Sequence, residues 1–273
     1  MLPKFGIATT IVDARDPQQF KDAIRPETRI FFFETPANPT MDIVDLEAVC
    51  GIARAGGIVS VVDNAFATPA LQRPMEFGAD VVAYSATKMM DGQGRVLAGA
   101  VTGTSKFILE TLLPFTRNTG PTLSAFNAWV VLKGLETLDL RIRRQSENAL
   151  KVGRFLETRV PRILHPGLSS HPQHNLAMRQ MSACGPIFSF EVAGGAQAGA
   201  RAARRAGPYR YLQQYRRFAF ADDASRLDHP FGRGRGQAPR DGVTEGLLRL
   251  NVGLEDADDV IGDLDQALEA VGL

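Results

Sequence analysis

The first third of the chain alternates short apolar runs with turn residues and one stretch of helical periodicity. Arg29 to Glu34 (RIFFFE) is such a run, closed by the turn-forming string Thr35-Pro36-Ala37-Asn38-Pro39-Thr40. Asp45 stands where a helix cap belongs, and Leu46, Val49, Cys50 and Ile52 recur at helical spacing up to Gly56-Gly57. Ile58 to Val62 is rich in β-branched residues and predicts a strand buried on both faces, with Asp63-Asn64 at its C-terminal end. A short segment from Pro69 to Phe77 leads to another predicted strand, Ala79 to Ser85. This order predicts an α/β fold with a largely parallel sheet.

From about Pro121 to Arg159 the pattern is helical. Leu123, Phe126, Ala128, Trp129, Leu132, Leu135 and Leu138 make an apolar face, and Arg141, Arg143 and Arg144 fall on the polar side as a solvated face. Ile187 to Val192 and Leu247 to Val252 read as strands. From Asp258, residues Val260, Ile261, Leu264, Leu268 and Val271 mark a terminal amphipathic helix. The expected division is a large domain over 1–134 and a small C-terminal α+β domain over 135–273.

Composition changes this picture little. Apolar residues make up 44% and charged residues 22%, and the formal charge of +1 gives no reason to expect a nucleic-acid or membrane partner. No apolar run reaches the ~20 residues of a membrane span. The N-terminus lacks the apolar stretch of a signal peptide, so a cytoplasmic protein is expected. Cys50 and Cys184 are isolated thiols, as expected in a reducing compartment. One stretch stands apart: Arg201 to Arg240 holds ten Arg, three Asp and no Lys.

Ligands of parallel sheets gather beyond the carboxyl ends of strands. Asn38, Asp63, Ser85, Thr87 and Lys88 all lie at or just past a predicted strand end. That set matches what pyridoxal 5'-phosphate (PLP) asks of a protein. Its aldehyde needs a lysine amine, its pyridine nitrogen an acidic partner, and its phosphate hydroxyls and backbone N–H groups. Lys88 in Tyr84-Ser85-Ala86-Thr87-Lys88 supplies the amine for a Schiff base, Asp63 the acid, and Ser85 and Thr87 the hydroxyls.

The same residues carry a resemblance. Glu34-Thr35-Pro36-Ala37-Asn38-Pro39-Thr40, Val62-Asp63-Asn64-Ala65-Phe66-Ala67-Thr68-Pro69 and Gly78 to Lys88 occur in this order. Leu248-Arg249-Leu250-Asn251-Val252-Gly253-Leu254-Glu255-Asp256 follows later. The chain thereby resembles the Cys/Met-metabolism, or trans-sulfuration, group of fold-type I PLP enzymes. Agreement runs from about Leu2 to Gly195 and again from Gly242. Phe32 to Asp45 and Met89 to Arg95 are most similar to its O-succinylhomoserine sulfhydrylase branch. The resemblance implies a transferase of methionine biosynthesis that replaces succinate with sulfide to give homocysteine. A cystathionine γ-synthase or a γ- or β-lyase would use the same residues. It also implies that Asn38 lies near the ring oxygen, that Arg249 binds the substrate α-carboxylate, and that the enzyme is a homotetramer taking a small amino-acid substrate.

Two departures from the family pattern stand out. Members are longer, and the text of this chain starts well inside their large domain. The expected losses are a phosphate-wrapping Gly-Met turn, a ring-stacking tyrosine and an N-terminal arm, leaving a truncated and catalytically inactive remnant as the alternative. The second departure is the Arg-rich stretch. Coded as TAT CTC CAA CAA TAT CGG CGA TTC GCG, Tyr211 to Ala219 reads I-S-N-N-I-G-D-S from the second base. Phe220 to Phe231 gives L-L-M-T-H-P-A-S-T-T-H-S in the same way. Both strings are similar to family text, so roughly 196–241 is expected to be out of frame and irregular.

Other motifs carry less. Gly232-Arg233-Gly234-Arg235-Gly236 is short and occurs once, which argues against a nucleic-acid-binding segment. His171-Pro172-Gln173-His174 lacks an acidic partner and helical presentation, so no metal is expected. Gly92-Gln93-Gly94 fits a tight turn after Lys88.

Overall fold

A computed structural model describes residues 2–193, 243–244, 246–270 and 272, together with the backbone of Phe218–Phe220. Its first sheet has the order β1-β2-β3-β4. Strands β1 (Ile30–Glu34), β2 (Val59–Asp63) and β3 (Val81–Ser85) are parallel, and β4 (Gly99–Gly103) runs antiparallel to β3. The register sets Glu34 opposite Asp63 and Asp63 opposite Ala83, so the carboxyl ends of β1 to β3 form one edge.

Each crossover has a local cause. The short helix α1 (Pro17–Asp22) precedes β1 and buries Phe20, whose ring lies 5.2 Å from that of Phe31. Helix α2 (Leu46–Ala55) starts at Asp45, whose carboxylate accepts from Ala48 N at 3.0 Å, as the sequence predicts. It buries Leu46, Val49, Cys50 and Ala53 against the sheet and stops at Gly56, with Gly57 left-handed at φ 64°. Helix α3 (Thr68–Leu71) follows β2.

The expectation that β2 is buried on both faces is corrected. Ser60 and Val62 are fully buried, whereas Val59, Val61 and Asp63 on the other face are only half-buried. The same face is open on β1, where Ile30 and Phe32 are exposed. A β-branched run therefore marks a strand here without marking two covered faces.

Helix α4 (Leu113–Thr119) leads to α5 (Ala125–Leu135) and α6 (Leu138–Glu157), the predicted helix pair. The apolar face assigned to α5 is also corrected. Phe126, Trp129 and Leu132 are exposed, and Val130, Val131 and Gly134 are buried. Helix α5 is apolar almost all round, so periodicity alone does not select its packed side.

The second sheet has the order β5-β6-β8-β7, all antiparallel, from β5 (Arg162–Leu164), β6 (Ile187–Glu191), β7 (Phe218–Phe220) and β8 (Leu247–Asn251). Phe188, Phe190, Leu248 and Leu250 form its core with Ala149, Val152 and Leu156 of α6. Val260, Leu264 and Leu268 of α8 (Ala257–Glu269) close that core. Each such large side chain contributes about 1.5–3 kcal/mol on burial. Strand β7 falls within the stretch expected to be irregular. Its three residues pair with β8, and the rest of 196–241 lies outside the described residues. Val271 of the terminal helix prediction lies outside them too. Among the described residues no helix is long and apolar enough to cross a membrane.

Helix α7 (His174–Gln180) is tied to the segment between β1 and α2 through side-chain amides. Gln180 accepts from Leu46 N at 2.8 Å and donates to Val44 O at 3.0 Å. Just before the helix, Gln173 accepts from Ile43 N at 2.9 Å and donates to Ile43 O at 2.6 Å. These four bonds satisfy the backbone between β1 and α2 where no ladder reaches it.

Candidate active site

Asp63 ends β2, and one of its carboxylate oxygens accepts from Ala65 N at 2.9 Å, which turns the chain back under the sheet edge. The turn rests on a buried amide network. Asn64 donates to Gln72 O at 2.9 Å, and Gln72 donates to Asn64 Oδ1 and to Thr35 O, each at 3.1 Å. Both side chains are about 1% exposed or less, so the backbone beside Asp63 is held by bonds that water does not compete for.

Ser85 ends β3 and leads into a π-type turn, Ala86–Met90, in which Lys88 leaves helical geometry (φ −84°, ψ −115°). Such turns recur at functional sites because they re-aim one side chain. Here the Lys88 ammonium lies 5.0 Å from the ring centroid of Phe66, on the turn that follows Asp63. The fold thus carries the amine from the end of β3 to the end of β2. Thr87 locks the other flank: its hydroxyl accepts from Ala98 N at 2.8 Å and donates to Ala98 O at 3.1 Å.

The turn closes through Asp91, a fully buried carboxylate. It accepts from Arg95 N at 2.7 Å and Gln93 N at 3.3 Å, and pairs with the Arg95 side chain at 2.9 Å. Gly92 and Gly94 are left-handed, at φ 69° and 66°, which gives the predicted tight turn a conformational reason.

A second group faces the same edge from β8. Arg249 donates from Nη1 to Asn38 Oδ1 at 2.6 Å. Its register partner on β6, Ser189, donates to Pro39 O at 2.7 Å. The peptide bonds Thr35–Pro36 and Asn38–Pro39 in this loop are cis. The candidate residues therefore fall into two sets at one sheet edge. Lys88 and Asp63 meet at the Phe66 turn with Ser85 and Thr87 on the chain leading to Lys88, and Asn38 and Arg249 are joined directly.

Sequence reading missed part of the supporting structure. Arg141, assigned to a solvated face with Arg143 and Arg144, is corrected. Arg143 pairs with Asp139 at 2.9 Å and Arg144 with Glu147 at 3.8 Å on the surface, whereas Arg141 donates to Met89 O at 3.0 Å and Met90 O at 3.2 Å. Gln72, Gln173 and Gln180 also gave no sequence signal, because each amide acts on backbone far away along the chain.

The described cysteines and histidines are set by burial and local hydrogen bonds. Burial raises the thiols of Cys50 and Cys184 to about 11 and about 12, which keeps them protonated. Burial lowers His165 to about 4, and its Nδ1 accepts from Gly167 N at 3.0 Å, so it is a neutral imidazole. His171 Nδ1 accepts from Gln173 N at 3.2 Å, and His174 Nδ1 lies 2.9 Å from Pro166 O.

A lysine held over the end of a neighbouring strand, an aspartate at that end and hydroxyls beside the lysine are the residue types that the sequence leads one to expect around PLP. Amine, acid and hydroxyls lie on elements that end at one sheet edge, and Arg249 reaches that edge from β8 through its bond to Asn38. Residues 1–269 match the family described as Cys/Met metabolism PLP-dependent enzyme, and the chain belongs to that family. It is 40% identical to an O-succinylhomoserine sulfhydrylase of Pseudomonas aeruginosa, over 98% of this chain and 67% of the relative. It is 41% identical to an L-methionine gamma-lyase of Treponema denticola, over 98% and 68%. It is 34% identical to a cystathionine gamma-lyase of Bacillus subtilis, over 99% and 72%. The chain thus spans about two-thirds of the length of these relatives, and it is a PLP-dependent enzyme of the trans-sulfuration type by family.

Proposed function

We propose that the chain carries out γ-replacement, in which sulfide displaces succinate from O-succinylhomoserine to give homocysteine. In this exchange the Cγ–S bond forms and succinate departs with the electron pair of the Cγ–O bond. The observation that carries the PLP chemistry is the position of the Lys88 ammonium, 5.0 Å over Phe66 on the Asp63 turn, and the choice of γ-replacement is supported by the 40% identity to the P. aeruginosa sulfhydrylase.

When bound, PLP supplies an electron sink conjugated to the substrate Cα. Lys88 would hold it covalently, then remove a proton from the substrate Cα and one from Cβ before succinate leaves, and return one to each carbon after sulfide has added at Cγ. Asp63 would hold the pyridine nitrogen protonated, its orientation set by the Ala65 N bond at 2.9 Å. Ser85 and Thr87 would bind the phosphate. For Thr87 this requires its hydroxyl hydrogen to turn away from Ala98 O, which lies 3.1 Å from the hydroxyl oxygen. Arg249 would take the substrate α-carboxylate in a two-bond fork, and its bond to Asn38 Oδ1 at 2.6 Å keeps the guanidinium plane oriented meanwhile. Asn38 would sit beside the ring oxygen.

A γ-lyase is the second reading, favoured by the equally high identity to the T. denticola methionine γ-lyase, 41%. Purified protein incubated with PLP and O-succinylhomoserine, with and without sulfide, separates the two. Homocysteine formed only with sulfide, together with a visible cofactor band that Lys88→Ala abolishes, supports replacement. A 2-oxo acid formed from methionine or cystathionine supports the lyase. No band at saturating PLP assigns the chain to the catalytically inactive remnant.

A further inference from the structure

We propose that Arg141 is a positioning residue for Lys88: it sets the direction of the lysine amine by holding the two carbonyls that follow it. This rests on the reading of Lys88 as the cofactor-bearing lysine.

The turn after Lys88 cannot satisfy its own carbonyls. Left-handed Gly92 ends the helical run, and the amides that would have continued it, Gln93 N and Arg95 N, go instead to the Asp91 carboxylate at 3.3 and 2.7 Å. Met89 and Met90 are buried, and the Arg141 guanidinium meets their carbonyls from α6 at 3.0 and 3.2 Å. The same side chain donates to Gly134 O at 2.8 Å and, from Nε, to Thr137 Oγ1 at 3.1 Å. Four directed bonds hold a planar five-donor group, so its orientation is defined by α5 and α6 rather than by the turn it grips.

The backbone around this contact is shaped for it. A Cβ on Gly92 would overlap Arg141 Nη1, and one on Gly134 would overlap Met90 O and lie 3.0 Å from Asp91 Cα. Helix α5 therefore approaches the turn backbone to backbone, and the guanidinium fills the remaining gap. Seven residues along α6, Asn148 donates to Gly253 O at 3.1 Å and to Glu255 O at 2.7 Å, in the segment that follows Arg249. One rigid helix thus references both the lysine turn and the segment after the arginine strand.

The test compares Arg141→Gln with Arg143→Gln, a surface control two positions along the same helix. Two readouts are taken: hydrogen exchange of the 86–95 peptide without cofactor, and the induced circular dichroism and affinity of added PLP. Arg141→Gln is expected to speed exchange in 86–95 selectively, change the induced dichroism, and weaken PLP binding about tenfold, less than the full worth of the two lost carbonyl bonds because they act on the binding group only through the backbone. Arg143→Gln is expected to match the wild type in all three. Wild-type exchange and dichroism in Arg141→Gln would overturn the proposal. So would a uniform loss of protection in every helix with unaltered dichroism, which marks a purely structural residue. If Arg141→Gln does not fold, Arg141→Lys decides on the same criteria, because a single ammonium cannot span both carbonyls and Gly134 O. Absence of any PLP signal in the wild type refutes the proposed function instead, and the exchange comparison alone then decides for Arg141.

Discussion

Gly134→Ala separates helix propensity from tertiary contact at the lysine turn. In an isolated helix, Gly to Ala gains about 1 kcal/mol. At position 134 the added methyl meets Met90 O and lies 3.0 Å from both Asp91 Cα and Asp91 O. All of these are backbone atoms, so no side-chain rotation relieves the overlap. Forcing an extra methyl into packed structure costs about 1–3 kcal/mol, and a backbone obstacle puts this case at the upper end. The net expectation is a loss of about 1–2 kcal/mol. Gly262 provides the control: it lies within α8, and a Cβ there meets nothing within 4 Å. Gly262→Ala should keep most of the propensity gain, so the two variants should differ by about 2–3 kcal/mol with opposite signs. Urea unfolding followed by far-ultraviolet circular dichroism measures both. A Gly134→Ala protein as stable as Gly262→Ala would refute the backbone-to-backbone approach of α5 to the Lys88 turn.

Further outcomes follow from other contacts. Gln180→Ala removes the bonds to Leu46 N and Val44 O at 2.8 and 3.0 Å, leaves both groups buried and unpaired, and should cost about 2–4 kcal/mol in the same urea assay. His165 is neutral in the fold, with its pKa lowered from 6.5 to about 4 by burial. The unfolded chain takes up this proton first as pH falls, so the contribution is complete above 6.5 and is lost progressively down to about 4. At about 1.4 kcal/mol per pH unit the loss is about 3 kcal/mol, and His165→Asn should flatten that part of the stability profile. Sequencing the DNA across the 196–241 codons is expected to show one base displaced from the family frame and a compensating change after it; an intact frame refutes that reading.

Legibility in the sequence tracked how local each cause was. Asp45 was readable as a cap because its partner, Ala48 N, is three residues away. Asp63, Ser85 and Lys88 were readable because strand ends in a parallel sheet must share an edge, and the structure brings Lys88 to the Asp63 turn through Phe66. Strand β4 was not readable: Gly-Ala-Val-Thr-Gly has little strand character of its own, and its pairing with β3 decides its conformation. Arg141 is indistinguishable from Arg143 and Arg144 in local pattern, and only the approach of Met89 and Met90 carbonyls sets it apart. The packed side of α5 was misread for a related reason. Gly134 has no hydrophobic signal, yet the close contact with the lysine turn is made there.

The central claim, that Lys88 bears the cofactor, is tested most directly by borohydride reduction of the PLP-treated chain followed by peptide mass mapping. The account predicts a single pyridoxyl addition on the peptide containing Lys88, blocked in Lys88→Ala. Addition spread over surface lysines such as Lys133 and Lys151, or no addition at saturating PLP, would contradict it.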